Sequence, residues 1–161
     1  MVVFIMGVSG CGKSTIAEML SEQTGMPYFD ADDFHPKANV DKMSRGKALT
    51  DEDRASWLHD LSDHLQIWDK EKGAVLACSA LKEKYRVVLS KNLESCYWVY
   101  LSGSFELIAA RLNKRKGHYM GSDLLRSQFE TLEAPEYGIH IDIEATPEEI
   151  LKKIKLFLDG K

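Results

Sequence analysis

Residues 2–19 read VVFIMGVSGCGKSTIAEM, and Gly7 to Ser14 satisfy G-x-x-x-x-G-K-[ST] at every fixed position. That pattern carries weight only between a buried strand and a helix. Both flanks comply. VVFIM is short, apolar and β-branched without alternation, the mark of a strand covered on both faces, and STIAEMLSEQ sets Ile16, Ala17, Met19 and Leu20 on one helical stripe. The residue types follow from the chemistry of holding a polyphosphate. Gly7, Gly10 and Gly12 allow the backbone of Val8, Ser9 and Cys11 to turn its amide N–H groups inward. The helix opening near Lys13 adds the positive end of its dipole. Lys13 reaches the β- and γ-phosphates, and the Ser14 hydroxyl, followed by Thr15, is a ligand for Mg²⁺. The expected ligand is a nucleoside triphosphate.

The remaining chain alternates strand and helix patterns. PYFDA (27–31), AVLACSA (74–80), CYWVYLS (96–102) and IHIDI (139–143) read as strands. Helices are expected after Thr50, where acids at 51, 52 and 53 suit a helix N-terminus, and over 82–91, 105–116 and 123–133. A last helix starts at Thr146-Pro147-Glu148-Glu149, with cap, proline and acids in order. This is an α/β pattern: a parallel sheet with helices on both faces, in one domain over 1–161. No repeat or linker interrupts it.

Asp30, Asp32 and Asp33 crowd the end of the second strand. By itself such a cluster reads as a solvated turn, where Asp is common. Behind a phosphate loop it reads differently, because ligands of open α/β sheets lie outside the carboxyl ends of the strands. Asp30 and Asp32, two apart, are expected to face the same side. One supports Mg²⁺, and the other accepts the proton of an attacking hydroxyl.

Composition narrows the partners. A net charge of −4 argues against a general nucleic-acid or anionic-membrane binder. No apolar run is long enough to span a bilayer, and the first residues lack a basic segment ahead of their apolar stretch. Three dispersed cysteines (11, 78 and 96) form no C-x-x-C pair, so neither a disulfide framework nor a zinc site is expected and a cytoplasmic location is. Cys11, inside the amide nest, is expected to have a lowered thiol pKa.

Four further stretches, HPKANVDKMSRGKALTDEDRASWL (35–58), CSALKEKYR (78–86), RLNKRKGHYM (111–120) and QFETLEAP (128–135), occur in an order that resembles the gluconate kinase family of P-loop small-molecule kinases. The resemblance runs from about residue 3 to about 154. It implies a P-loop NTPase fold with a five-stranded parallel sheet of the nucleotide and shikimate kinase type, a mobile lid at about 114–122, and a homodimer. It also implies phosphorylation of D-gluconate to 6-phosphogluconate with ATP and Mg²⁺. By matching position, Gly10, Gly12, Lys13, Ser14 and Thr15 form the ATP-phosphate and metal site. Asp32 meets the substrate hydroxyl, with Asp30 nearer the metal. His35, Lys82 and Arg86 line the substrate pocket, where Arg suits a carboxylate, and Asn39, Lys42 and Met43 shape its wall. Arg111 and Arg115, four apart on a helix, bring charge to the transferring phosphoryl group. Three positions depart from the family pattern: Ala31 between the acids, Phe34 before His-Pro, and Cys11 in the loop. A regulatory GTPase would need N-K-x-D and D-x-x-G, which are absent. A kinase of shikimate or adenylylsulfate shares the loop and the Asp-x-Asp pattern but leaves His35-Pro36, CSALK and RKGH unexplained.

Overall fold

The computed structural model describes residues 1–114 and 122–161. Five parallel strands form one sheet in the order β2-β3-β1-β4-β5: β1 (Val2–Met6), β2 (Tyr28–Asp30), β3 (Ala74–Ala77), β4 (Cys96–Ser102) and β5 (Ile139–Asp142). β1 lies between β3 and β4, pairing Phe4 with Leu76 and with Trp98. All five of its residues are buried, as its unbroken apolar run requires.

Burial on both faces hides a period-two division of labour. Val3 and Ile5 join Val75, Val99 and Leu101 beneath α1 (Lys13–Thr24), α5 (Phe105–Lys114) and α7 (Pro147–Asp159), which contribute Leu20, Ile108 and Ile154. Val2, Phe4 and Met6 face the opposite way, toward Leu61 and Leu65 of α3 (Asp51–Lys70) and Leu89 of α4 (Glu83–Ser90). On that face Phe4 stacks flat on Trp98 with ring centres 3.9 Å apart. The capping signals at Thr50 and Thr146 act as written. Thr50 and Asp53 form a reciprocal capping box at the start of α3, and the Thr146 hydroxyl accepts from the Glu149 amide with Pro147 in the first turn.

Three local differences from the sequence reading bear on the site. β2 ends at Asp30, and Ala31–Phe34 form a 3₁₀ turn capped by the Asp30 carboxylate, which accepts from the Asp32 amide at 2.9 Å. The two acids are therefore placed by a capped turn, with no strand alternation involved. β3 stops at Ala77, and the chain leaves the sheet through Ala80, whose φ of 44° is left-handed. Lys37–Ser44 form a further helix, α2, which the sequence did not announce because it buries only Asn39, a polar residue.

Candidate active site

The phosphate loop closes the gap between β1 and α1. Gly10 has a φ of 83°, and a Cβ there would lie 2.7 Å from Cγ of Leu112, so only glycine fits between loop and α5. The Lys13 ammonium folds back over the loop and donates to the carbonyls of Gly7 (3.0 Å) and Val8 (3.1 Å). Helix α6 (Ser122–Thr131) grips the loop from the other side. Gln128 Oε1 accepts from the Ser9 amide at 2.8 Å, and its Nε2 donates to the Ser9 hydroxyl at 3.0 Å.

One cleft of about 1110 Å³ opens beyond the carboxyl ends of the strands. Ser9, Gly10, Gly12, Lys13, Ser14 and Thr15 line it at the loop, Asp30, Asp32 and His35 at the next turn, and Arg54 and Lys82 farther along. This joins most of the residues singled out above at the expected end of the sheet. Ser14 Oγ lies 3.4 Å from Oδ2 of Asp30. A hydroxyl and a carboxylate this close are a hard-oxygen pair suited to Mg²⁺, which takes one or two protein ligands and completes its shell with phosphates and water. Asp32 stands farther out. Its carboxyl pKa is raised, first by partial burial in the cleft wall and then by the charge of Asp30, with Lys13 opposing. Its side chain nevertheless keeps 77% of its surface open to solvent, so water damps the shift.

His35 is held face on against α3. Its side chain is 4% exposed and stacks on Trp57 with ring centres 4.2 Å apart. Burial, then the nearby Arg54 charge, lowers its pKa to about 4, against the pull of Asp30. The imidazole is neutral at pH 7. Trp57 also donates through Nε1 to the Ala31 carbonyl at 2.8 Å, tying α3 to the turn that carries Asp32.

Lys82 lines the cleft while paired with Asp51 at 3.3 Å. Asp51 also accepts from Lys84 and from the Tyr85 hydroxyl, and these partners hold its carboxyl below the usual range. Arg54, not singled out beforehand, donates through Nη1 to the Leu49 carbonyl (2.6 Å) and the Tyr85 hydroxyl (3.1 Å), with its guanidinium over the Tyr85 ring. Its Nη2 and Nε make no hydrogen bond among the described residues. Arg54 and Gln128 both sit inside stretches quoted above, but nothing local marks either one. Gln128 meets Ser9 across 119 residues of sequence.

Several of the expected site residues lie off the cleft wall. Arg86 does not line the cleft. It is 1% exposed, donating from Nη1 to the Ala80 carbonyl and from Nη2 to the Glu133 carbonyl, both at 2.7 Å, and pairing with Glu83 at 3.0 Å and the Tyr137 hydroxyl at 2.9 Å. Its fork is spent on protein. It pins the loop around left-handed Ala80 that presents Lys82. Gly7, Val8 and Cys11 are the buried residues of the loop, and none of the three is on the cleft wall. Cys11 is buried among core side chains, and burial pushes its thiol pKa up, outweighing the nearby Lys13. The nest lowers a thiol only where the sulfur faces it. Arg111 is likewise off the cleft wall, donating to the Ile143 carbonyl at 2.8 Å and so bracing the segment after β5. Arg115 and the lid, apart from its ends at Lys114 and Ser122, fall on 115–121, outside the described residues.

Comparison with known proteins places this arrangement. The family model described as shikimate kinase matches residues 9–155. A probable gluconokinase of Schizosaccharomyces pombe is 45% identical over 83% of this chain and 73% of its own length. The gluconokinase of Arabidopsis thaliana is 43% identical over 95% of this chain and 89% of its own. The crystal structure of a gluconokinase from Sinorhizobium meliloti superposes with a TM-score of 0.90 at 37% identity, covering 99% of this chain and 91% of that one. With its phosphate loop, its paired acids and its parallel sheet, the chain belongs to the gluconokinase family of P-loop kinases, within the wider shikimate kinase family.

Proposed function

We propose that this protein transfers the γ-phosphoryl group of ATP to the 6-hydroxyl of D-gluconate, giving 6-phospho-D-gluconate and ADP. The observation that carries the reading is a single cleft. Lys13 and Ser14, the acids Asp30 and Asp32, and the cations Arg54 and Lys82 all open into it. One end suits a triphosphate, the other a small polyhydroxy acid, and the carboxylates stand between.

Lys13 binds the phosphate chain and offsets charge on the transferring group. Ser14 and Asp30 would hold Mg²⁺, which when bound neutralises the triphosphate. Asp32 takes the proton of the attacking hydroxyl as the new O–P bond forms and the bond to the β,γ-bridging oxygen breaks. Burial and the charge of Asp30 raise the pKa of Asp32, which makes it a better base than an ordinary aspartate. Lys82, and Arg54 in place of Arg86, meet the substrate carboxylate. Arg54 suits this role because Nη2 and Nε keep two donors for bidentate contact. The wider expectations of a homodimer and a cytoplasmic setting rest on family likeness.

A coupled assay for ADP release with gluconate, shikimate, glycerate or no acceptor tests the reading. Turnover is expected with gluconate, with the others near background. Equal or faster turnover with shikimate would overturn it. Lys13→Ala should abolish the signal, and retention within about tenfold, roughly 1.4 kcal/mol of barrier, would place the phosphate site elsewhere.

A further inference from the structure

The buried face of α2 carries one polar residue, Asn39, and its hydrogen bonds determine the state of a buried imidazole, that of His35. Asn39 Nδ2 lies 2.8 Å from the Asp53 carbonyl, which can only accept. The amide nitrogen is therefore the atom facing that carbonyl, with the amide oxygen turned away. The same nitrogen lies 3.3 Å from Nδ1 of His35. An NH₂ group has two hydrogens, so both contacts are donated, and Nδ1 of a neutral His35 must be the bare acceptor. The ring proton then sits on Nε2. Nε2 in turn lies 3.7 Å from Oδ1 of Asp32, beyond hydrogen-bond length but within reach of a small rotation of that exposed carboxylate.

We propose that Asn39 is a positioning residue: it locks His35 as the Nε2–H tautomer, so that a neutral donor, never a lone pair, faces Asp32. The proposal deepens the functional reading above and rests on Asp32 being the base. A donor on Oδ1 fixes the carboxylate plane and leaves Oδ2 to receive the substrate proton. It also supports the ionised form against the charge of Asp30. The opposite tautomer would set a ring lone pair against the carboxylate and turn it away. Trp57 prevents the ring from escaping by flipping, because it stacks on the imidazole and its Nε1 is bonded to Ala31. The charged groups acting on the ring are Asp32 and Asp30 from its own turn and Arg54 from α3. None of them substitutes for the Asn39 donor at Nδ1.

NMR of the full chain with ¹⁵N-labelled imidazoles and no ligand reads the tautomer directly. His35 is expected to show a bare Nδ1 and a protonated Nε2 from about pH 8 down to about pH 5, above its pKa of about 4. A protonated Nδ1, or an equal mixture, overturns the proposal whatever the enzyme acts on. Asn39→Leu, similar in size but unable to donate, should mix the tautomers, lower kcat by about tenfold and leave the KM for ATP within about twofold. A pure Nε2–H tautomer surviving in the variant, or an unchanged kcat once the tautomers mix, overturns it equally. Failure of the parent protein to phosphorylate gluconate would instead sink the functional reading, and the tautomer result would still decide the Asn39–His35 contact.

Discussion

Arg86→Ala separates a pocket residue from a structural one. In the parent, Arg86 is 1% exposed and satisfies the carbonyls of Ala80 and Glu133 at 2.7 Å each, with Glu83 and Tyr137 on its remaining donors. Hydrogen bonds from a charged donor contribute about 1.5–3 kcal/mol each. Truncation strands two carbonyls and opens a void, which water entering beside half-exposed Glu83 partly fills. The expected loss is about 3–5 kcal/mol, a large share of a typical 5–15 kcal/mol stability. Urea unfolding followed by far-UV circular dichroism should show the midpoint falling by about 2 M, for an m-value near 2 kcal/mol/M. Arg86→Lys should recover little, since a point charge cannot span two carbonyls. At low temperature, where the variant is folded, the KM values for gluconate and ATP should move together and modestly. A midpoint within about 0.5 M of the parent, corresponding to about 1 kcal/mol, together with a selective rise in gluconate KM, would return Arg86 to the pocket and refute the reasoning.

Asp32→Asn keeps the shape but not the basicity, so kcat should fall by about 10²–10⁴-fold while ATP affinity, measured by equilibrium binding, holds. Asp30→Asn should instead give a rate loss that added Mg²⁺ largely restores; the reverse assignment would show as the reverse pattern. Iodoacetamide on the native protein should leave Cys11 and Cys78 unlabelled, because burial raises both thiols, Cys78 to about 12, and rapid ATP-protectable labelling of Cys11 by mass spectrometry would contradict the buried geometry. His35 titrates near 4 when folded against 6.5 otherwise, so the unfolded chain takes up its proton first. Its share of stability is whole above about pH 6.5 and drains away by about pH 4, some 3 kcal/mol in all. His35→Gln should flatten denaturation midpoints across that window, and a parent midpoint independent of pH there would reject the shift.

The parts of this site legible in the sequence are those whose geometry is written by neighbours along the chain. Lys13 and Ser14 depend on a turn and a helix start within a few residues, and Asp30 and Asp32 on a strand end. Even there the mechanism of placement was hidden. The acids share the cleft because Asp30 caps the turn through the Asp32 amide, a bond that side-chain alternation does not foretell. The sheet was legible for a similar reason, as β1 and β3 are unbroken apolar runs and each helix cap is local. What escaped are roles decided by distant partners. CSALKEKYR offers Lys82 and Arg86 as equivalent cations on one short element. Only Glu133 and Tyr137, 47 and 51 residues later, consume one of them and leave the other in the cleft. Cys11 shows the same limit within eight residues: the loop's path is set by its glycines, but the face a side chain takes is set by the core behind it.

The three basic groups Arg54, Lys82 and Arg86 thus divide a task that the sequence assigned to Lys82 and Arg86 alone. Arg86 makes the 80–83 loop rigid, at the core side of left-handed Ala80. Lys82 leaves that loop to reach the cleft, where Asp51 holds it at 3.3 Å. Arg54 is steadied through one nitrogen only, by Leu49 and Tyr85, and Tyr85 also bonds to Asp51. Asp51 and Tyr85 therefore connect both cleft cations to the rigid loop. On the proposed reading, an incoming carboxylate would compete with Asp51 for Lys82 and find Arg54 already oriented. Anion binding at this end would then replace one carboxylate by another rather than bury new charge, which would keep the desolvation cost low. Removing Asp51 would free Lys82 but also release Tyr85, and with it the side chain that orients Arg54.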